Sequence, residues 1–337
     1  MAGGEERVLR RRIRSVRATQ KITRAFELIA ASQIVRAQNR IAGAAPYQRG
    51  MAEVLAEAAA DAGEEAGRLL GVPESPRKVL LLAIVADRGL CGAYNVNVLR
   101  MSERTIRAGT ADGVEYRIVA AGRKAQSFFR FRRLEVERSF TGMSDRPTFE
   151  DARRVAEAIT QPFLDEEVDQ VMVVSTRFLS AGTQTVEVRQ LLPLPEPAGS
   201  GATVDDDGGR GQPREARDAG AGAPGGAASG GDSSGSDGDV ARPRRDGYTE
   251  FEPDSSDLLV ELVPRYVESA VFAALLEAAA SEHTARQRAM AAATDNADEL
   301  VKTFTRAMNR ARQDAITTEI LEIVGGAEAL RRGTRHE

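Results

Sequence analysis

The sequence holds no tryptophan, two histidines and a single cysteine, Cys91, among 337 residues. One cysteine cannot close an internal disulfide, which fits a reducing compartment. His283 and His336 with one thiol cannot assemble a zinc set, so no metal or other cofactor is expected. Long apolar runs are missing as well. The longest, residues 79–86, has the length of a strand and is far too short to span a bilayer. The N-terminus is basic but no apolar segment follows it, so no signal peptide is predicted. Aromatic residues make up 5% of a chain that is 42% hydrophobic, so Ala, Leu, Val and Ile are expected to build the core.

Glycine and proline are plentiful, at 31 and 13, yet two stretches lack both. The longer covers residues 265–324. In its second half Met290, Ala293, Ala297, Leu300, Phe304, Ala307 and Ala311 recur at alternating steps of three and four, which lie on one stripe of a helix. The stripe slips by five and resumes at Ile316, Ile320, Ile323, Ala327 and Leu330. At ~1.5 Å per residue this helix is about 90 Å long, too long to bury itself inside one globule. Thr294-Asp295-Asn296, with Glu299 following, resembles a capping box that would break it. The heptad steps pass through without a change of phase and favour continuity.

The second such stretch is residues 5–42. Leu9, Ile13 and Val16, then Ile22, Phe26 and Ile29 after a polar gap, form a narrow interrupted stripe. Gly43, Pro46 and Gly50 loosen the pattern before an Ala- and Glu-rich continuation, with a bend expected at the proline. Each stripe is too narrow for a globule's surface helix, so the two are expected to wrap each other as an antiparallel coiled coil. The expected seam is Ile13, Val16, Ile22, Phe26 and Ile29 against Met290, Ala297, Leu300, Phe304, Ile316, Ile320 and Ile323. The longer C-terminal helix is expected to project beyond its partner.

Between the helices, residues 79–86 read as a strand buried on both faces. A turn at Asp87-Arg88-Gly89-Leu90-Cys91-Gly92 leads into a helix to about Arg107. Strands at 116–121, 171–175 and 185–191 alternate with helices ending near Phe131 and starting at Thr148, where Glu150 and Asp151 suit the helix dipole. This order predicts a doubly wound, Rossmann-like α/β domain. Residues 195–247 carry eight Asp and two Glu against six Arg, with 14 Gly and almost nothing apolar, the composition of a disordered insertion. The expected organisation is a first coiled-coil helix over 1–70, the α/β domain over 71–194, the insertion over 195–247, and the second coiled-coil helix with a tail over 248–337.

Candidate sites are few. The turn with Gly89 and Gly92 lacks both the dinucleotide fingerprint and the Lys-Ser/Thr of a P-loop, and reads as a tight turn closely packed on its helix. Cys91 reads as a small packing residue and His283 as a surface histidine. The arginines at 7, 10, 11, 12, 14 and 17 spread around their helix with no interleaved aromatics, which suits a solvated or protein-facing surface better than nucleic acid. Arg312 and Gln313, in the polar slip of the long helix, are the favoured pair for contact with a partner. An enzyme on the α/β domain, or a coiled-coil adaptor or nucleic-acid-binding protein using the basic first helix, remain as alternatives on these residues alone.

Three separated blocks resemble the gamma subunit, or central stalk, of rotary proton-translocating ATP synthases. They are Thr19-Gln20-Lys21-Ile22-Thr23 with Ala30-Ala31-Ser32; Asp87-Arg88-Gly89-Leu90-Cys91-Gly92; and, toward the end, Ser281-Glu282-His283, Ala293-Thr294-Asp295-Asn296, Asn309-Arg310-Ala311-Arg312-Gln313 and Glu322-Ile323-Val324. The resemblance implies a non-catalytic rotor that carries torque between a proton-driven membrane ring and a head of three alpha and three beta subunits. It also implies contact with the epsilon subunit, a peripheral position on the cytoplasmic side of the cell membrane, and no cofactor, nucleic acid or direct small-molecule substrate. Arg312 and Gln313 match positions that in the family contact a loop of a catalytic beta subunit. Phe26 and Gln33-Ile34 depart from the family's usual Met and Lys-Met. The insertion has no cysteine, which excludes a thiol switch there.

Overall fold

The computed structural model describes residues 2–62, 69–70, 75–194 and 254–333, all within one compact unit. The insertion expected over 195–247 lies outside the described residues. Helix α1 (Ala2–Ala62) spans 61 residues and continues through Pro46. Proline removes one backbone donor and crowds the preceding turn, but α1 lies along a second helix whose contacts hold it. That helix, α5 (Ser255–Gly333), spans 79 residues, passes Pro264 and is unbroken at Thr294, Asp295 and Asn296. At ~1.5 Å per residue it is about 120 Å long.

The sheet carries five strands: β1 (Lys78–Ile84), β2 (Glu115–Ala121), β3 (Arg138–Phe140), β4 (Gln170–Phe178) and β5 (Gln184–Leu192). Their order is β3-β2-β1-β4-β5. The first four run parallel and β5 closes one edge antiparallel to β4. Strand β1 is central, with Leu82 paired to Val119 on one side and Val173 on the other. That position explains its unbroken apolar run, since both faces are covered. Leu81, Ala83 and Val85 pack with Val98, Leu99 and Ile106 of α2 (Tyr94–Ala111) and with Ala125 and Phe129 of α3 (Arg123–Phe131). Leu80, Leu82 and Ile84 point to the opposite face, which α4 (Phe149–Leu164) and the middle of α5 cover.

Two local features fix the geometry. Thr148 caps α4: its hydroxyl accepts from the Asp151 N–H at 3.2 Å while its own N–H donates to the Asp151 carboxylate at 2.9 Å, a reciprocal capping box. Gly122, between β2 and α3, has φ +104, and a Cβ there would lie 2.1 Å from the Val85 carbonyl oxygen. Only glycine allows that approach.

Candidate functional site: the paired helices and their joint with the sheet

Two side-chain contacts set the direction and register of the helix pair. The hydroxyls of Thr23 and Thr294 lie 2.8 Å apart, and the Gln20 amide donates to the Asp298 carboxylate at 2.6 Å. Position rises along α1 as it falls along α5, so the helices are antiparallel. This register brings Ala2 level with Ala315, and from there α5 continues to Gly333 with no length of α1 beside it. Ile316, Ile320 and Ile323 lie on this overhang and are exposed. Arg312 and Gln313, at its root, are exposed too, and no side-chain hydrogen bond or ion pair ties either to another described residue.

The buried stripe departs from the expected seam in both helices. On α1 burial recurs at Ile13, Val16, Gln20, Thr23, Glu27, Ala30, Ile34, Ala37 and Ile41, in strict alternation of three and four. Ile22 is 57% exposed, Ile29 55% and Phe26 38%. These three lie on the flank of the helix, because a six-residue step from Val16 to Ile22 leaves the seam, whereas the four-three count from Val16 runs through polar Gln20 and Thr23. On α5 the stripe is Met290, Thr294, Ala297, Val301, Phe304, Met308 and Ala311. Leu300 is 46% exposed. The two possible phases share Met290, Ala297, Phe304 and Ala311 and differ by one residue between them. Thr294, rather than Ala293, faces α1 through Thr23, and this sets Val301 rather than Leu300 inside.

Where α5 meets the loops after β1 and β3, a buried polar cluster adjoins the apolar packing of Leu275, Leu276, Ala278, Ala279 and Ala280. Glu282, 1% exposed, accepts from Arg286 at 2.6 Å. Burial pushes its carboxyl above the ordinary range, against the pull of the Arg286 charge. Arg286 also donates to the Gly89 carbonyl at 3.4 Å and faces Nδ1 of His283 at 3.5 Å, while Nε2 of His283 lies 3.2 Å from the Asp145 carbonyl. A neutral ring protonated at Nε2 satisfies both contacts, and burial holds this histidine below its usual pKa. His283 is therefore a buried joint residue, where a surface position was expected. Asp87 ties the facing loops together, accepting from the backbone N–H groups of Arg123, Gly142 and Ser144 at 2.9, 2.8 and 3.2 Å. Cys91 is buried beside Asn95, and desolvation with the Glu282 charge keeps its thiol protonated. These groups lock the loops after β1 and β3 onto one face of α5.

The pairing of Glu282 with Arg286 escaped the sequence reading, although their i,i+4 spacing was a signal. Thr23 and Thr294 escaped as seam residues, because an apolar count skips hydroxyls. No helix among the described residues is long and apolar enough to cross a membrane.

A family model described as ATP synthase matches residues 5–330. The ATP synthase gamma chain of Frankia casuarinae is 41% identical over 335 residues, covering 98% of this chain and 99% of that relative. The chain belongs to the ATP synthase gamma family. The gamma chain of Acidothermus cellulolyticus is likewise 41% identical over 335 residues, covering 97% of this chain and 98% of its own. Among solved structures, a chain of the Euglena gracilis mitochondrial ATP synthase (OSCP, F1 and c-ring) matches 98% of this chain and 96% of its own, with a TM-score of 0.63 and 17% identity. The central stalk and c-ring structure of the Tetrahymena thermophila enzyme gives a TM-score of 0.54 over 81% of this chain, at 19% identity. Both share this chain's fold. The nucleic-acid reading of the basic first helix finds no support in these relatives.

Proposed function

We propose that this chain is the central-stalk rotor of a membrane-bound ATP synthase, seated peripherally on the cytoplasmic side and without catalytic chemistry of its own. The α/β domain engages the membrane ring and an epsilon subunit. The helix pair carries torque into a head of three alpha and three beta subunits. Because the shaft is asymmetric, each beta subunit meets a different face, and differential contact energy biases it among nucleotide-binding states. The observation that carries this reading is the overhang of α5 beyond the start of α1, roughly 27 Å at ~1.5 Å per residue. A single helix with Ile316, Ile320 and Ile323 exposed is an apolar surface made to be enclosed by other chains. Arg312 and Gln313 at its root are free to meet a loop of a beta subunit, and the planar guanidinium can hold a carboxylate at two points.

The test is isolation of the complex from its native membrane through a tag on this chain. Alpha and beta subunits are expected in three-to-one ratio to it, with proton pumping driven by ATP hydrolysis. Arg312→Ala is expected to weaken the grip on the head by about 2–5 kcal/mol, the loss when one partner of a buried charged contact is removed. Its pumping per ATP hydrolysed should fall. Recovery of the chain without alpha and beta subunits overturns the assignment, and unchanged assembly and turnover in Arg312→Ala removes that residue's role.

A further inference from the structure

Helices α2 and α3 cover the face of the sheet opposite α4 and the middle of α5, and their outer surface is basic. Residues 100–137 carry nine Arg and Lys against five Asp and Glu, in a chain whose net charge is −4. Arg100, Arg104 and Arg107 are exposed on one stripe of α2, at steps of four and three. The end of α3 and the turn after it read Phe129-Arg130-Phe131-Arg132-Arg133. Glu103 joins the two helices, pairing with Arg107 at 2.7 Å and with Arg132 at 3.3 Å. Glu137 is paired with Arg117 at 2.6 Å. Arg104, Arg130 and Arg133 are exposed, and no ion pair joins any of them to another described residue. Phe131 stands among them 82% exposed, more than any other large apolar side chain of the described residues. A lone exposed phenyl ring is ordinary. One set among unmatched guanidinium groups suits an acidic segment that brings an apolar side chain with it.

The chain itself carries such a segment close by. Strand β5 ends at Leu192, and the described residues stop at Leu194 before resuming in α5. The residues that follow, 195–209, include Glu196, Asp205, Asp206 and Asp207 and no Arg or Lys. Val204 immediately precedes the three aspartates. Asp206 is twelve residues beyond Leu194. As a flexible chain that length spans roughly 20 Å on average and about 40 Å at full stretch. Helix α2 packs on β4 and β5, so its outer stripe lies about one helix diameter, ~10–12 Å, from the strand that ends there. The contact of Arg132 with Glu103 brings the end of α3 to the same stripe. The aspartates are therefore within reach of all three unmatched arginines. A tether this short sets an effective concentration in the millimolar range, so a few modest ion pairs suffice to hold it.

We propose that residues 204–207 of the insertion dock on the α2–α3 face of this same chain, the aspartates pairing with Arg104, Arg130 and Arg133 and Val204 covering Phe131. Docked there, the insertion cancels the charge of the domain's outer face, and any acidic partner must displace it. The test uses the purified full chain. It contains no tryptophan, so Phe131→Trp supplies a single fluorescent reporter. Cys91 is 1% exposed, so Val204→Cys supplies the thiol open to a nitroxide label. The label is expected to quench the reporter at 131 several-fold more than one introduced by Leu179→Trp, an exposed position between β4 and β5. Quenching should be lost between about 0.1 and 1 M salt, as the screening length falls from ~10 to ~3 Å. Asp205→Asn, Asp206→Asn and Asp207→Asn together should abolish it. So should Arg104→Gln, Arg130→Gln and Arg133→Gln together, with circular dichroism showing the fold intact. Equal quenching at 131 and 179, or quenching that either set of substitutions retains in full, overturns the proposal. So does a reporter at 131 that responds only to added anionic lipid vesicles or to the other subunits of the complex, which would assign the face to one of those instead.

Discussion

Ala297 and Leu300 stand one helical turn apart on α5 and separate two descriptions of the shaft. Ala297 is 6% exposed and Leu300 46% exposed. An aspartate at 297 would place a carboxylate in the closed face between the helices. Burial of that kind raises a carboxyl pKa by about two to three units, and at ~1.36 kcal/mol per unit the loss at neutral pH is about 3–4 kcal/mol. Leu300→Asp replaces a flank residue and should stay within about ±0.5 kcal/mol. Thermal unfolding of the isolated full chain reads the difference free of any partner subunit. Ala297→Asp should lower the midpoint by about 5 °C and Leu300→Asp should hardly move it. The pH dependence supplies a control. The introduced carboxyl has a raised folded pKa, so its deficit is absent below the unfolded value near ~3.9 and grows as pH rises through the folded one. Equal losses at the two positions, or a larger loss at Leu300, would put Leu300 in the seam and refute the register drawn from Thr23 and Thr294.

In the same seam, two hydroxyl protons serve three contacts: Thr23 with the Gln20 carbonyl, Thr294 with the Met290 carbonyl, and the pair with each other. Either single Thr→Val change should cost about 1 kcal/mol and the double change much less than twice that, a coupling that denaturant unfolding of the four variants measures. Gly122→Ala forces a side chain into φ +104 against the Val85 carbonyl; it should cost at least about 3 kcal/mol, seen as a collapse of the unfolding midpoint. His283 is held below its usual pKa of 6.5 by burial. The unfolded chain therefore takes up that proton first, so the stability present above 6.5 is lost as pH falls toward the depressed folded value. His283→Gln should flatten this part of the stability–pH curve, and an unchanged slope would show that His283 is not neutral in the joint.

Much of the architecture was legible because it rests on strong periodic signals. Strand β1 announced its burial through eight consecutive apolar residues, and α4 announced its start through Thr148 and the acids that follow it. Strand β3 carried no such signal: Arg138, Ser139 and Phe140 are three residues at a sheet edge, none of them fully buried, and only the neighbouring β2 backbone makes them a strand.

The seam failed to show itself where it is least apolar, and that failure bears on function. A helix pair meant to be stable alone in water would put its largest apolar side chains inside and its polar ones outside. Here the inside of α1 mixes Ile13, Val16, Ile34 and Ile41 with Gln20, Thr23, Glu27, Ala30 and Ala37, while Ile22, Leu28, Ile29, Val35 and Leu300 lie exposed. Small and polar seam residues let two helices approach closely with little apolar area between them. The apolar area left on the flanks needs another surface to cover it, and exposed patches of this kind mark sites of protein contact. An isolated coiled coil has no use for such flanks, but a shaft enclosed by other subunits does. A seam diluted with small and polar residues, with large apolar side chains left on its flanks, is therefore the sequence trace of a shaft that other chains enclose.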